Sequence, residues 1–259
     1  MKMKTKPYEH QEHYYRWSEG RDIAALYHYM RKGKTKSVID DLNRARQEGR
    51  INAVLVIAPN GVHSNWARHE IPKHQWDGAP WKVWEWNTKD KTSTNRFLEV
   101  WKEKAFVWYC IPTHAIWRDD LTLILRRIVG KRKVGVVFDE SHTFAKPGTK
   151  QTKRARWNSK QCIIRRALTG TPLENQPLQA WSQFELLEPG LLGFRTYEDF
   201  KKMYAVYERG QKAERDENGE VIKIRFFPKL IGYQNLDDLR NRIAPYCHCL
   251  LYTSPSPRD

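Results

Sequence analysis

An α/β fold built on a parallel sheet is what this chain predicts, on three observations. Five short runs rich in β-branched and aromatic residues recur between segments whose apolar residues fall at three- and four-residue spacing, the rhythm of strand–helix units around a parallel sheet. One run, Val134-Gly135-Val136-Val137-Phe138, is continuously apolar and ends in Asp139-Glu140, as expected of a strand buried on both faces that delivers its last side chains to the carboxyl edge of its sheet. Gly33-Lys34-Thr35 lies upstream and Thr169-Gly170-Thr171-Pro172 downstream, so three loops with chemical potential follow one another along the chain.

The predicted strands are 53–58, 81–86, 105–111, 134–138 and 162–168, each bounded by turn residues or charge. Helices are predicted over 34–48, 63–72, 94–103, 119–129, 176–187, 196–207 and 235–244 from their apolar periodicity. The stretch 208–223 is highly charged with little to bury, which predicts a mobile hairpin or loop. Two prolines among the serines of 252–259 exclude a helix or a central strand there. The division that follows is a sheet domain over 1–190, a helical extension over 191–248 leading toward a second domain, and a non-native or disordered tail over 249–259.

Lys and Arg total 46 against 30 Asp and Glu, a net charge of +16 over 259 residues, which implies an acidic partner, nucleic acid first. Four cysteines at 110, 162, 247 and 249 are too few and too scattered for a disulfide framework, and no secretory signal precedes them, so a cytoplasmic setting is expected. Cys247-His248-Cys249 is half of a zinc pattern without its second half. No apolar stretch reaches the ~18 to 20 residues of a membrane span.

Lys34 and Thr35 are placed to open a helix, where free backbone N–H groups and the helix dipole favour a phosphate; the lysine adds a point charge and the threonine a hydroxyl that can ligate Mg²⁺. The full phosphate-loop pattern asks for a glycine five residues before Gly33, where this chain has His28. Asp139 is the expected Mg²⁺ ligand beside Thr35, and Glu140 the group that polarises an attacking water, a division of labour suited to phosphoryl transfer. His142 is expected to link this site to Thr169 or Thr171. No acid interrupts the chain between Glu140 and Glu174, while Lys146, Lys150, Lys153, Arg154, Arg156, Lys160, Arg165 and Arg166 are all basic, a stripe suited to neutralising phosphates. Of eleven tryptophans, Trp84, Trp86, Trp101, Trp108 and Trp181 are assigned to the core, and Trp66 and Trp157 to the surface.

In this order the motifs resemble the first, RecA-like motor domain of superfamily-two helicases of the Snf type, related to the DEAD/DEAH-box proteins, in the form common in bacteriophage genomes. The likeness runs from Tyr8 to His248. Met30-Arg31-Lys32-Gly33-Lys34-Thr35-Lys36 resembles that family's phosphate loop, with Lys32 the less usual residue. Gln11 stands where the family reads the adenine edge. Pro59-Asn60-Gly61 with Asn65-Trp66, and more weakly Thr113-His114, resemble segments that contact a nucleic-acid backbone, to which Lys153, Arg154 and Arg156 are added from the stripe. Phe144-Ala145-Lys146-Pro147-Gly148 follows the acidic box as in the phage form, and Thr169-Gly170-Thr171 resembles the motif that couples hydrolysis to movement.

The resemblance implies an ATP- and Mg²⁺-dependent DNA translocase or helicase, in bacterial or infected host cytoplasm. A second RecA-like domain, absent from this chain, would then supply transition-state arginines. Two rivals stand beside this reading: a nucleic-acid-binding module whose nucleotide site no longer hydrolyses ATP, and the helicase part of a restriction system.

Overall fold

A computed structural model describes residues 2–87, 92–103, 105–170, 177–215, 217 and 221–250. Its centre is a seven-stranded sheet of order β3-β4-β2-β5-β6-β1-β9, every neighbouring pair parallel. The strands are β1 Ile23–His28, β2 Ala53–Ala58, β3 Trp81–Glu85, β4 Phe106–Pro112, β5 Val134–Phe138, β6 Ile164–Thr169 and β9 Cys247–Leu250. Three interior runs, β2, β4 and β5, are buried at every position, which explains why they read as continuous apolar segments.

Alternate residues feed opposite layers. Leu55, Ile57, Tyr109, Val136 and Phe138 join one core with α5 (Ser93–Lys102), α6 (Asp119–Lys131) and α7 (Lys150–Lys160), whereas Val54, Val56, Trp108 and Val137 join another with α2 (Lys34–Gln47). Gly135 is where α2 comes closest. A Cβ there would stand 3.2 Å from Leu42 Cδ2 and 3.3 Å from Ile51 Cδ1, so a larger residue would push the helix off the strand.

All five predicted strands are present within two residues of their expected bounds. Two more were not expected. β1 carries Ala24 and Ala25, poor strand formers, because both faces of that strand are closely covered: Ala24 belongs to the α2 layer and Ala25 to a third core with α8 (Gln179–Leu187). β9 pairs with β1 through Cys247 opposite Ala25 and His248 opposite Leu26. The helices α1 (Glu9–Trp17) and α7 were also unassigned, since each offers few apolar residues to the periodicity argument. The predicted helix 63–72 is observed as α3 (Val62–Asn65), a turn of π-helix over Trp66–Glu70, and α4 (Ile71–His74).

The segment 191–248 is not purely helical. It holds α9 (Tyr197–Tyr204) and α10 (Leu236–Ile243), as predicted, with an antiparallel hairpin between them, β7 (Ala205–Arg215) and β8 (Val221–Tyr233). Cross-strand ion pairs, Lys229 with Glu208 and Arg225 with Glu214, lie along this hairpin. Phe200, Tyr204, Leu239 and Ile243 share a core with Ala25, Ala167 and Phe184, so the extension packs on the sheet. Of the segment 249–259, Cys249 and Leu250 stand opposite Tyr27 and His28 in β9, and 251–259 lie outside the described residues. Among the described residues no helix is long and apolar enough to cross a membrane.

Candidate nucleotide site and nucleic-acid face

Strand order assembles the site. β5, β6 and β1 are neighbours, so the loops that leave their carboxyl ends, beginning at Asp139, Gly170 and Tyr29, meet at one edge although more than a hundred residues separate the first from the last. In an open parallel sheet this edge is where ligands bind.

Gly33 caps α2 in the left-handed conformation, φ 69° and ψ 31°, and Arg31 is left-handed too at φ 64°. Left-handed residues at a helix start turn successive N–H groups inward and form an anion-binding concavity. A Cβ on Gly33 would lie 2.3 Å from Gln11 Nε2, so Gln11 rests directly on the loop. Gln11 is buried, donates to the Gly33 carbonyl at 3.2 Å and accepts from Tyr8 N at 2.9 Å. His10 bonds the Lys32 carbonyl at 2.8 Å. Lys34 Nζ donates to the carbonyls of His28 and Tyr29, at 2.9 and 3.3 Å. Burial lowers the Lys34 pKa, against the opposing pull of Glu140 and Asp139. Met30 is exposed, and a Cβ on Gly170 would approach Met30 Cγ at 3.2 Å and Lys34 Nζ at 3.4 Å, which puts the Thr169-Gly170 segment against the phosphate loop.

Asp139 is buried, and its carboxylate is held from both sides: Trp66 Nε1 donates to Oδ2 at 2.7 Å and Glu140 N to Oδ1 at 2.9 Å. Burial raises its pKa, and the Glu140 charge adds to the rise. Glu140 turns the chain with φ 49°. Its Oε2 is buried without a well-directed hydrogen bond among the described residues, although His142 Nδ1 lies 3.3 Å away. His142 Nδ1 also lies 3.2 Å from Thr169 Oγ1, so this ring stands between the acidic box and the end of β6. A buried carboxylate oxygen of Glu140, unpartnered among the described residues, and the Asp139 carboxylate beside it are hard oxygen donors of the kind that fit a divalent cation. Thr35 is half-buried in the first turn of α2. Thr171 and Pro172 lie outside the described residues.

Four assignments need correction. Lys36 is buried and paired with Asp40, which also accepts from Trp76 Nε1 at 2.8 Å; it points into the protein rather than to the loop. Trp66 is fully buried against Asp139, so it is not a surface contact. Thr113 is buried as well, its hydroxyl unpartnered among the described residues. Arg156 pairs with Glu185 and lies over the Trp181 ring; with Arg165 paired to Glu188 and Arg166 buried on Asp41, the stripe narrows to Lys146, Lys150, Lys153 and Lys160, all exposed, and Arg154, half-exposed. Asn60, Gly61, Asn65 and His114 are exposed, and Pro59 half-buried.

A histidine chain went unread because its members are far apart in sequence. His28 Nε2 lies 2.7 Å from His248 Nδ1, and His248 Nε2 lies 2.8 Å from His13 Nδ1. It joins α1, β9 and the base of the phosphate loop. Burial, with the neighbouring His248, Lys34 and His10, pushes His28 down to about 3; burial, with His13 and His10, pushes His248 down to about 4. As pH falls below about 6.5 the unfolded chain takes up these protons and the folded chain does not. Stability should therefore be complete above pH 7 and decline between about 6.5 and 4, with each histidine contributing about 1.4 kcal/mol per pH unit. Urea unfolding at pH 7, 6 and 5 checks this, and an unchanged free energy across that range would refute it.

The comparisons with known proteins bear on this geometry. The model of the SNF2-related domain matches residues 4–226. The chain belongs to the SNF2-related domain family. Among relatives of this SNF2-related chain, the DNA excision repair protein ERCC-6-like of Danio rerio is 29% identical over 251 residues, covering 93% of this chain and 16% of that protein. The ATP-dependent DNA helicase DDM1 of Arabidopsis thaliana is 25% identical over 219 residues, covering 83% of this chain and 27% of the relative. The Sulfolobus solfataricus SWI2/SNF2 ATPase core in complex with dsDNA superposes with a TM-score of 0.67 at 22% identity, over 97% of this chain and 46% of that one. The SNF2-related chain thus shares that core's fold and spans less than half its length.

Proposed function

We propose that this chain is the ATP-binding half of a DNA-dependent ATPase that moves along DNA. The observation that carries the reading is the convergence of Lys34, Asp139, Glu140 and Gly170 at one sheet edge, with the His142 ring between Glu140 and Thr169. Lys34 would exchange its loop carbonyls for the β- and γ-phosphates, and the N–H groups at the start of α2 would hold the remaining oxygens. Thr35 and Asp139 would hold Mg²⁺, which when bound neutralises charge on the phosphates. Glu140 would accept the proton of the attacking water. Through His142, a change at Glu140 reaches Thr169 and the strand that adjoins the phosphate loop.

The exposed residues Asn60, Gly61, Asn65 and His114, with the narrowed stripe at Lys150, Lys153 and Arg154, support a DNA-backbone contact. The Met30–Thr35 loop and Phe144–Gly148 support the phage-type subgroup with its DEAD/DEAH-like box, and a cytoplasmic setting goes with that reading. A titration with a fluorescent ATP analogue and Mg²⁺ tests the proposal. Lys34→Ala should weaken binding at least tenfold while thermal stability is kept, since a half-buried ammonium on a phosphate is worth about 1.5 to 3 kcal/mol. Equal affinity of the two proteins would remove the phosphate loop from the reading.

A further inference from the structure

The bond between Trp66 and Asp139 has no place in the phosphate chemistry just described, yet it is a short, buried side-chain contact of the acidic box. Trp66 is completely buried, and its indole N–H donates to Asp139 Oδ2 at 2.7 Å. The other oxygen accepts from Glu140 N at 2.9 Å. With one donor on each oxygen, the plane of the carboxylate is fixed before any cation arrives. The donor is neutral, so it orients the carboxylate without cancelling the charge a cation would seek; a lysine or arginine there would compete with it.

Where Trp66 comes from gives the contact its meaning. β2 ends at Ala58, the exposed loop Asn60-Gly61 follows, and the chain then enters the helix that begins at Val62. Trp66 opens the single π-helical turn of that helix, where the N–H of Ile71 reaches back five residues to the Trp66 carbonyl. Turns of this kind sit mostly at functional positions, because they insert a residue and re-aim a side chain. The end of β2 is tied to the acidic box a second time, by Asp139 N donating to the Ile57 carbonyl at 2.8 Å. Both ends of the loop 59–61 are therefore anchored on Asp139, one through backbone and one through the indole. The indole bond thereby ties the helix that follows the loop to the carboxylate.

We infer that Trp66 is a positioning residue for Asp139, holding the carboxylate for the magnesium of a bound nucleotide and tying that carboxylate to the exposed loop 59–61. The inference rests on the nucleotide reading above. It assigns Trp66 a role inside the protein, not on its nucleic-acid surface.

Trp66→Phe retains the buried ring and removes only the N–H. Binding of a fluorescent ADP is measured in EDTA and across a Mg²⁺ titration. Affinity in EDTA should stay within twofold of the parent, whereas the Mg²⁺ concentration for half of the magnesium-dependent gain should rise about tenfold, the usual loss when a ligand's supporting bond is removed. A purely structural role would move both arms together and lower thermal stability with them. Independently of that variant, the indole ¹H–¹⁵N resonance of Trp66, located by the effect of Asp139→Asn on it, should shift when Mg²⁺ is added to the ADP-bound parent. An unchanged Mg²⁺ dependence in a folded Trp66→Phe, or a Trp66 resonance indifferent to Mg²⁺, overturns the inference and leaves the nucleotide reading standing. A parent that binds no ADP under any condition overturns both.

Discussion

Glu140→Gln should lower DNA-stimulated phosphate release by about 10²- to 10⁴-fold in a two-domain protein that carries this chain, while an ATP analogue binds as before. The amide keeps the shape of the side chain and cannot take a proton from water. Glu140 Oε2 is buried and without a well-directed donor among the described residues, so the carboxylate is not already committed to another partner. Its left-handed backbone, φ 49°, is equally open to glutamine, and the substitution therefore tests the carboxylate and not the turn. The 259-residue chain by itself should bind nucleotide and release phosphate slowly in both forms. Transition-state arginines from a second domain are worth ~10³ to 10⁵ in rate where such residues have been measured. Phosphate release with and without duplex DNA, on the two-domain protein, its Glu140→Gln variant and this chain alone, decides the matter. Brisk DNA-stimulated turnover by the isolated chain would contradict the need for a second domain.

The parts of this molecule that could be read in the sequence are those whose signal is local. A strand buried on both faces must be continuously apolar, so 53–58 and 134–138 were legible to the residue. The meeting of the Gly33-Lys34-Thr35 turn and the Asp139-Glu140 pair at one sheet edge was legible because each is a few adjacent residues at a strand end or a helix start. What could not be read depends on distant partners. β1 looks weak because small residues suit a strand with helices close on both sides, and nothing in Ile23–His28 announces those helices. Trp66 reads as a surface residue from its polar neighbours His63, Ser64 and Asn65, but the π turn directs it inward to Asp139. The basic run 146–166 is uniform in composition, yet acids from α8 and from the turn that follows it claim two of its arginines. Those acids, Glu185 and Glu188, lie some twenty to thirty residues downstream of their partners.

The third arginine lost from that run carries the second large prediction. Asp41→Ala should destabilise the fold by about 3 to 5 kcal/mol, the cost of leaving a buried charge without its partner. Arg166 is 1% exposed, and its Nε donates to Asp41 Oδ2 at 2.7 Å. The same carboxylate accepts from Tyr14 OH at 3.1 Å, Ser18 Oγ at 3.0 Å and Arg44 at 2.9 Å, so α1, α2 and β6 meet on one aspartate. Burial and the Asp41 charge push the Tyr14 phenol far above its ordinary pKa, which keeps it a donor at any working pH. Arg166→Met should cost less, because Asp41 keeps Arg44, and most of that cost should come from the carbonyls of Arg21 and Arg165, each of which loses a donor, while the Asp22 carbonyl keeps the Arg165 N–H. Combining Asp41→Ala with Arg166→Met removes both charges at once, so the double variant should be less destabilised than the two single losses added together, by about 1 kcal/mol or more on the scale of contacting pairs. Urea unfolding of the four proteins at pH 7 measures the cycle. An Asp41→Ala protein within about 1 kcal/mol of the parent would mean that water reaches Arg166, and that the three elements are held by their apolar packing alone. With total stabilities of about 5 to 15 kcal/mol for folded domains, the predicted loss is a large share of the whole. The arginine that the sequence offers to DNA is therefore expected to matter most to the fold.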